Sequence, residues 1–107
     1  MLVPYQMTPP MEISAFARTI LQRIGNTSLL PLRVVAPGNG ARILLKLESE
    51  NPTGSMKDRM ALAVIARAEE DGRLKPGDTV VEYTGGSTGA SLALVCAAKG
   101  YRLRIVT

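Results

Sequence analysis

The chain has 107 residues, 46% of them hydrophobic and 21% charged, which suits one small globular domain with one core and excludes a disordered chain. Its net charge of +4 raises nucleic acid as a partner, yet Lys and Arg are interleaved with Glu and Asp, and aromatic residues for base stacking are only 4%, which argues against it. No apolar stretch approaches the ~20 residues of a membrane span. The absence of histidine argues against a metal site or a Ser-His pair, and a lone cysteine, Cys96, excludes an internal disulfide and fits a reducing, cytoplasmic setting.

Met1 to Pro10 lacks the basic and apolar regions of a secretory signal, and Pro9-Pro10 marks residues 1–11 as a flexible leader. From Glu12 to Arg23 the apolar residues Ile13, Phe16, Ala17, Ile20 and Leu21 have helical spacing, and Gly25-Asn26 stops the helix. Leu29 to Val35 is extended, at an edge because of Pro31. Pro37 to Gly40 reads as a turn, Arg42 to Leu47 as a strand and Ser49 to Ser55 as a polar loop. Ser55 followed by Asp58 resembles a capping box that opens a helix through Met60, Ala61, Val64, Ile65 and Ala68, ended by Gly72. Lys75-Pro76-Gly77-Asp78 has the residue types of a tight turn. Thr79 to Tyr83 is β-branched and short, hence a strand. Ala90 to Ala98 is apolar almost all round and reads as a buried helix, capped by Gly100, and Arg102 to Val106 is the last strand.

Helices between strands predict an α/β fold: a partial doubly wound parallel sheet (β-α-β-α-β) with an N-terminal helix. Parallel sheets are normally covered and wider than three strands, so either this is part of a larger sheet or it depends on a partner.

Ligands of open α/β sheets sit where strands lead into helices. Two such connections stand out. The first holds Lys57 in the first turn of its helix, where a cation opposes the positive end of the helix dipole. An amine so placed can react with a carbonyl. A single lysine is ordinarily a solvated surface residue; its surroundings set this one apart. The second connection, Thr84-Gly85-Gly86-Ser87-Thr88-Gly89, offers bare N–H groups and three hydroxyls at a helix start. It suits a carboxylate or a phosphate. It is neither a P-loop nor the dinucleotide fingerprint. An ordinary turn rarely needs three glycines and three hydroxyls in six residues.

These residues resemble the cysteine synthase and cystathionine β-synthase family of fold-type II pyridoxal-phosphate enzymes. Ile24-Gly-Asn-Thr27 is similar to the family's opening motif, with Ser28 where proline is usual. Lys46-Leu-Glu48, Asn51-Pro52 and Ser55-Met-Lys57-Asp-Arg59 resemble its cofactor-lysine motif. Lys75-Pro-Gly77, Val81-Glu82 and Ala97-Ala-Lys-Gly-Tyr101 also match. The resemblance runs from about Ile24 to Thr107. It implies that Lys57 is the Schiff-base lysine and moves the substrate's α-proton. It implies that Thr84, Gly85, Gly86, Ser87 and Thr88 take the substrate's α-carboxylate. The family's usual Thr-Ser-Gly-Asn-Thr-Gly reads Thr-Gly-Gly-Ser-Thr-Gly here, so Ser87 stands where an asparagine contacts the cofactor.

The implied activity is β-elimination or β-replacement on an amino acid such as an O-activated serine, in an enzyme that is a homodimer at full length. Residues 12–107 would be an incomplete N-terminal part of that catalytic domain. The family's loop for the cofactor phosphate and the residue facing the pyridine nitrogen lie later in its sequences, so this chain alone is expected to be inactive. A different class of reading is a non-catalytic module that pairs an open sheet edge or its apolar helix faces with another chain.

Overall fold

The computed structural model describes residues 20–34 and 38–107. The expected leader and most of the expected helix from Glu12 lie outside these residues, as do Val35 and Pro37. What is described of that helix is its end, at 20–22. Gly25 follows with φ +85° and Asn26 with φ +48°, a reversal that ends the helix where the Gly-Asn pair predicts.

Four strands and two helices follow. Strand β1, Leu29–Pro31, pairs antiparallel with β2, Leu44–Lys46, in the register Leu29↔Lys46 and Pro31↔Leu44. Helix α1 spans Lys57–Glu70, β3 spans Thr79–Tyr83, α2 spans Ser87–Lys99 and β4 spans Arg102–Val106. Strands β3 and β4 are parallel, in the register Thr79↔Arg102 to Tyr83↔Val106, with α2 as the crossover between them. The α/β class and the parallel pair match expectation. The strand from Arg42 does not: it joins Leu29–Pro31 in a separate two-stranded sheet, so the parallel sheet has two strands among the described residues. Bonds from the Leu32 N–H to the Ile43 carbonyl (3.0 Å) and from the Leu47 N–H to the Ser28 carbonyl (2.9 Å) flank the antiparallel pair at its two ends.

Glycines close both helices. Gly72 (φ +71°) and Gly100 (φ +79°) adopt the left-handed conformation. The amide of the following residue reaches back to the helix, Arg73 to the Ala68 carbonyl at 2.9 Å and Tyr101 to that of Cys96 at 2.9 Å. Lys75–Asp78 turns as its residue types predict, with Gly77 at φ +90° and the Asp78 N–H on the Lys75 carbonyl at 3.0 Å.

The core lies in the seam between the two helices. Ala61, Ile65, Leu92, Val95 and Cys96 are buried there, and Leu62, Leu74, Val80, Tyr101 and Leu103 pack around them. Burial pushes the Cys96 thiol up. The helices run parallel. Asp58 and Ser91 meet at their N-terminal ends, and Glu69 meets Lys99 (2.6 Å) and Tyr101 (2.9 Å) toward their C-terminal ends. Burial works against ionisation of Glu69, yet the hydrogen bonds from Lys99 and Tyr101 outweigh it and hold its carboxyl below the usual range. Parallel packing is what positions the site: it sets the N-termini of α1 and α2 side by side. Among the described residues no helix is long and apolar enough to cross a membrane.

Candidate active site

Between β2 and α1 the chain makes a short 3-10 turn, Glu48–Glu50, before entering the helix. Polar side chains fix its path. Asn51 is buried; its amide donates to the carbonyl (2.9 Å) and the carboxylate (2.9 Å) of Glu48, and its Oδ1 accepts the Gly25 N–H at 2.8 Å. Arg59 grips the Glu48 carboxylate with two bonds, Nε at 2.8 Å and Nη2 at 2.9 Å. Thr27 Oγ1 donates to Glu48 at 2.8 Å and accepts from Arg59 Nη2 at 3.2 Å, while Lys46 Nζ donates to the Thr27 carbonyl. Gly25 is held close: a Cβ there would lie 2.8 Å from Arg59 Nη1, in a backbone conformation that already disfavours side chains. The segment Gly25-Asn-Thr27 is thus clasped onto the connection that leads to Lys57. In the sequence, Glu48, Asn51 and Arg59 stand only as letters of the lysine motif. The available signal was an acid, an amide and an arginine bracketing one lysine.

The Arg59 hydrogen bonds, with help from Thr27, lower the Glu48 carboxyl from 4.5 to about 2. A carboxyl depressed on folding stabilises the fold above its unfolded value, and that contribution is lost as pH falls through the folded value. The clasp should therefore hold at neutral pH and loosen between about pH 4.5 and 2. Amide exchange of Gly25, whose N–H bonds to Asn51, itself bonded to the Glu48 carboxylate, followed across that window checks this. Glu48→Gln should flatten the dependence, and an equally steep dependence in that variant would exclude Glu48 as its source.

Lys57 is the first residue of α1, as expected. The expected capping box takes another form. Ser55 Oγ accepts the Lys57 N–H at 3.1 Å, and Asp58 does not reach back to Ser55. Its carboxylate turns inward, fully buried, and accepts the N–H (2.8 Å) and hydroxyl (2.5 Å) of Thr53 and the hydroxyl of Ser91 (2.5 Å). The donors of Thr53, together with Ser91 of α2, outcompete the local cap. Lys57 lines an open cavity of about 440 Å³ with Lys46, Glu48, Met56, Arg59 and Met60.

The glycine turn follows β3. The Thr84 N–H bonds the Val106 carbonyl at 2.9 Å, and the Gly86 N–H bonds Thr84 Oγ1 at 3.2 Å. Gly86 is the extended N-cap of α2, so the helix begins at Ser87 rather than at Ala90 as the sequence suggests. Ser87, Thr88 and Gly89 form its first turn; the hydroxyls and glycine that read as loop are tolerated there because first-turn N–H groups need no helical acceptor. The Gly89 N–H bonds the Gly86 carbonyl at 3.0 Å, which leaves those of Ser87 and Thr88 without an acceptor inside the helix.

The glycines differ in kind. Gly89 is buried, and a Cβ there would lie 3.0 Å from Thr84 Cγ2 and 3.6 Å from Ile105 Cδ1. At Gly85 and Gly86 a Cβ would meet nothing within 4 Å, and neither has positive φ. The packing of this chain does not require glycine at those two positions. The bare backbone there leaves room for a ligand to approach the helix start.

Lys57 and the turn are thus brought to the same end of the helix pair, joined through Asp58 and Ser91. None of Thr84, Gly85, Gly86, Ser87 and Thr88 borders the cavity of about 440 Å³ beside Lys57.

Comparison with known proteins bears on this arrangement. Residues 20–107 match the family described as pyridoxal-phosphate dependent enzyme. A cysteine synthase of Staphylococcus aureus (strain Mu50) is 57% identical over 83 residues, 78% of this chain and 27% of that protein. Cysteine synthase B of Escherichia coli (strain K12) is 50% identical over 88 residues, 82% of this chain and 29% of that protein. The crystal structure of a cysteine synthase from Entamoeba histolytica superposes with a TM-score of 0.74 at 38% identity, over 98% of this chain and 30% of that one. The chain therefore spans less than a third of the length of these relatives.

Proposed function

The chain belongs to the pyridoxal-phosphate dependent enzyme family, among relatives that are cysteine synthases, and on that premise we propose that it carries the lysine-bearing part of an enzyme replacing the β-substituent of an O-activated serine with sulfide to give cysteine. The observation that carries this reading is the unfilled space over Gly85 and Gly86 at a helix start, set beside the helix that begins with Lys57.

Lys57 and Ser87 would hold the cofactor. When bound, pyridoxal phosphate supplies an electron sink for the charge that develops at the amino acid's α-carbon. The N–H groups of Ser87 and Thr88, the open backbone at Gly85 and Gly86, and the hydroxyl of Thr84 would orient the substrate's carboxylate. Lys57 Nζ would take the α-proton and return it once sulfide has replaced the leaving group, serving as base and then as acid. The full-length enzyme is expected to be a homodimer acting on a small amino acid.

Incubation of the 107-residue chain with pyridoxal phosphate, borohydride reduction and peptide mapping tests this. The expected result is a sub-stoichiometric adduct concentrated at Lys57, with no measurable β-replacement, because the family's phosphate contacts would come from sequence beyond that matched here. Label spread evenly over exposed lysines such as Lys75 would count against an activated Lys57.

A second reading, a module that pairs with another chain, is supported by the sheet face turned away from the helices, where Val81 is 59% and Tyr83 78% exposed. It predicts a chain that self-associates in light scattering and takes no adduct at Lys57.

A further inference from the structure

Asp58 makes an unusual set of contacts. Its side chain is fully buried, and so is that of Ser91. Three protons converge on its carboxylate, from the Thr53 N–H (2.8 Å), the Thr53 hydroxyl (2.5 Å) and the Ser91 hydroxyl (2.5 Å), and the two hydroxyl oxygens are themselves 3.3 Å apart. All the donors are neutral, and among the described residues no ion pair includes Asp58. The other end of the same helix pair is tied differently, by the Glu69–Lys99 ion pair.

A buried carboxylate without a cation is costly, and an apolar side chain would pack a helix seam at lower cost. The acceptor-only chemistry of a carboxylate explains the choice if donors from separate segments must be gathered at one point. Thr53 belongs to the connection that leads to Lys57. Ser91 stands one helical turn beyond Ser87, the first residue of α2. Asp58 adjoins Lys57 in sequence.

We infer that Asp58 is a positioning residue that fixes the register of Lys57 against the Thr84–Gly89 turn through its shared hydrogen bonds to Thr53 and Ser91. The inference rests on the reading of Lys57 as the reactive amine, but the coupling between the two segments stands on geometry alone.

Ser91→Ala tests it from the far side, since Ser91 lies on α2 and its hydroxyl bonds to Asp58 and Thr53, not to Lys57. Two readouts are compared in the 107-residue chain: amide exchange by segment, and the ratio of reduced pyridoxal adduct at Lys57 to that at exposed Lys75. In Ser91→Ala, exchange across Thr53–Lys57 should rise about tenfold while the middle of both helices changes less than about twofold. The adduct ratio should fall about fivefold, as expected when a reacting group loses its fixed geometry. Thr53→Val should act alike, and Thr53→Ser, which keeps both donors, should restore both readouts. Unchanged exchange across Thr53–Lys57 in Ser91→Ala and Thr53→Val would overturn the coupling. A uniform rise over both helices would reduce Asp58 to a general stabiliser and overturn it too. Raised exchange with an unaltered ratio would show that the register does not govern the lysine. A wild-type ratio near one would sink the reading of Lys57 as the reactive amine, and exchange would then decide the coupling alone.

Discussion

Replacing Lys57 by alanine should abolish the reducible pyridoxal adduct at the start of α1 and leave the chain folded. The loss is all-or-none, because the amine is the only group at that position able to bond covalently to an aldehyde. The fold should tolerate the change. Lys57 is the first helical residue, its side chain borders an open cavity, and its structural contact is the backbone N–H on Ser55 Oγ, which alanine keeps. Alanine is also the better helix former, so the stability change should stay within about 0.5 kcal/mol. Mass mapping after reduction reads the adduct, and thermal unfolding reads the fold. In a full-length enzyme containing this segment, the same substitution should remove the yellow absorbance of the bound cofactor. An adduct of undiminished yield in the variant would take Lys57 out of its role.

Ile65→Ala should be the most damaging truncation in the helix seam. Ile65 is 3% exposed and packs in the cluster of Ala61, Leu92, Val95 and Cys96, so removing its outer carbons leaves a cavity that two helices must share. Such truncations cost about 2–5 kcal/mol. Small domains have only about 5–15 kcal/mol to lose, so the variant should sit near its unfolding threshold at 37 °C. Denaturant unfolding should show a lower midpoint at an unchanged slope. Ile65→Val should cost only about 0.5–1.5 kcal/mol. A loss below about 1 kcal/mol in the alanine variant would mean that the seam collapses around the gap or does not govern stability.

Much of this architecture was legible in the residues. Periodicity and glycine stops marked α1 and its end at Gly72, and β-branched runs marked β3 and β4. Lys75–Asp78 carried its turn in its composition. Strand pairing was not legible in the same way. Arg42–Leu47 reads as a strand, but nothing in a three-residue pairing segment states whether its neighbour is Leu29–Pro31 or β3. The helix start at Ser87 was hidden by residues that serve equally in a turn and in a first helical turn. Asp58 shows the limit most sharply. Ser-x-x-Asp reads as a local cap, but the carboxylate turns inward to Thr53 and to Ser91 of α2, the latter 33 residues away. The site was legible as two motifs in sequence. That the two motifs lie at one end of a helix seam required the fold.

The contrast between the glycines of the turn bears on how this segment divides its sequence space. Gly89 is locked by its own neighbours, Thr84 and Ile105, and belongs to the constraints of folding. Gly85 and Gly86 face open space and belong to the constraints of whatever approaches them. Two adjacent positions can thus vary without eroding the scaffold. An engineered library that varies 85 and 86 while holding 89 samples ligand choice and foldability on separate axes.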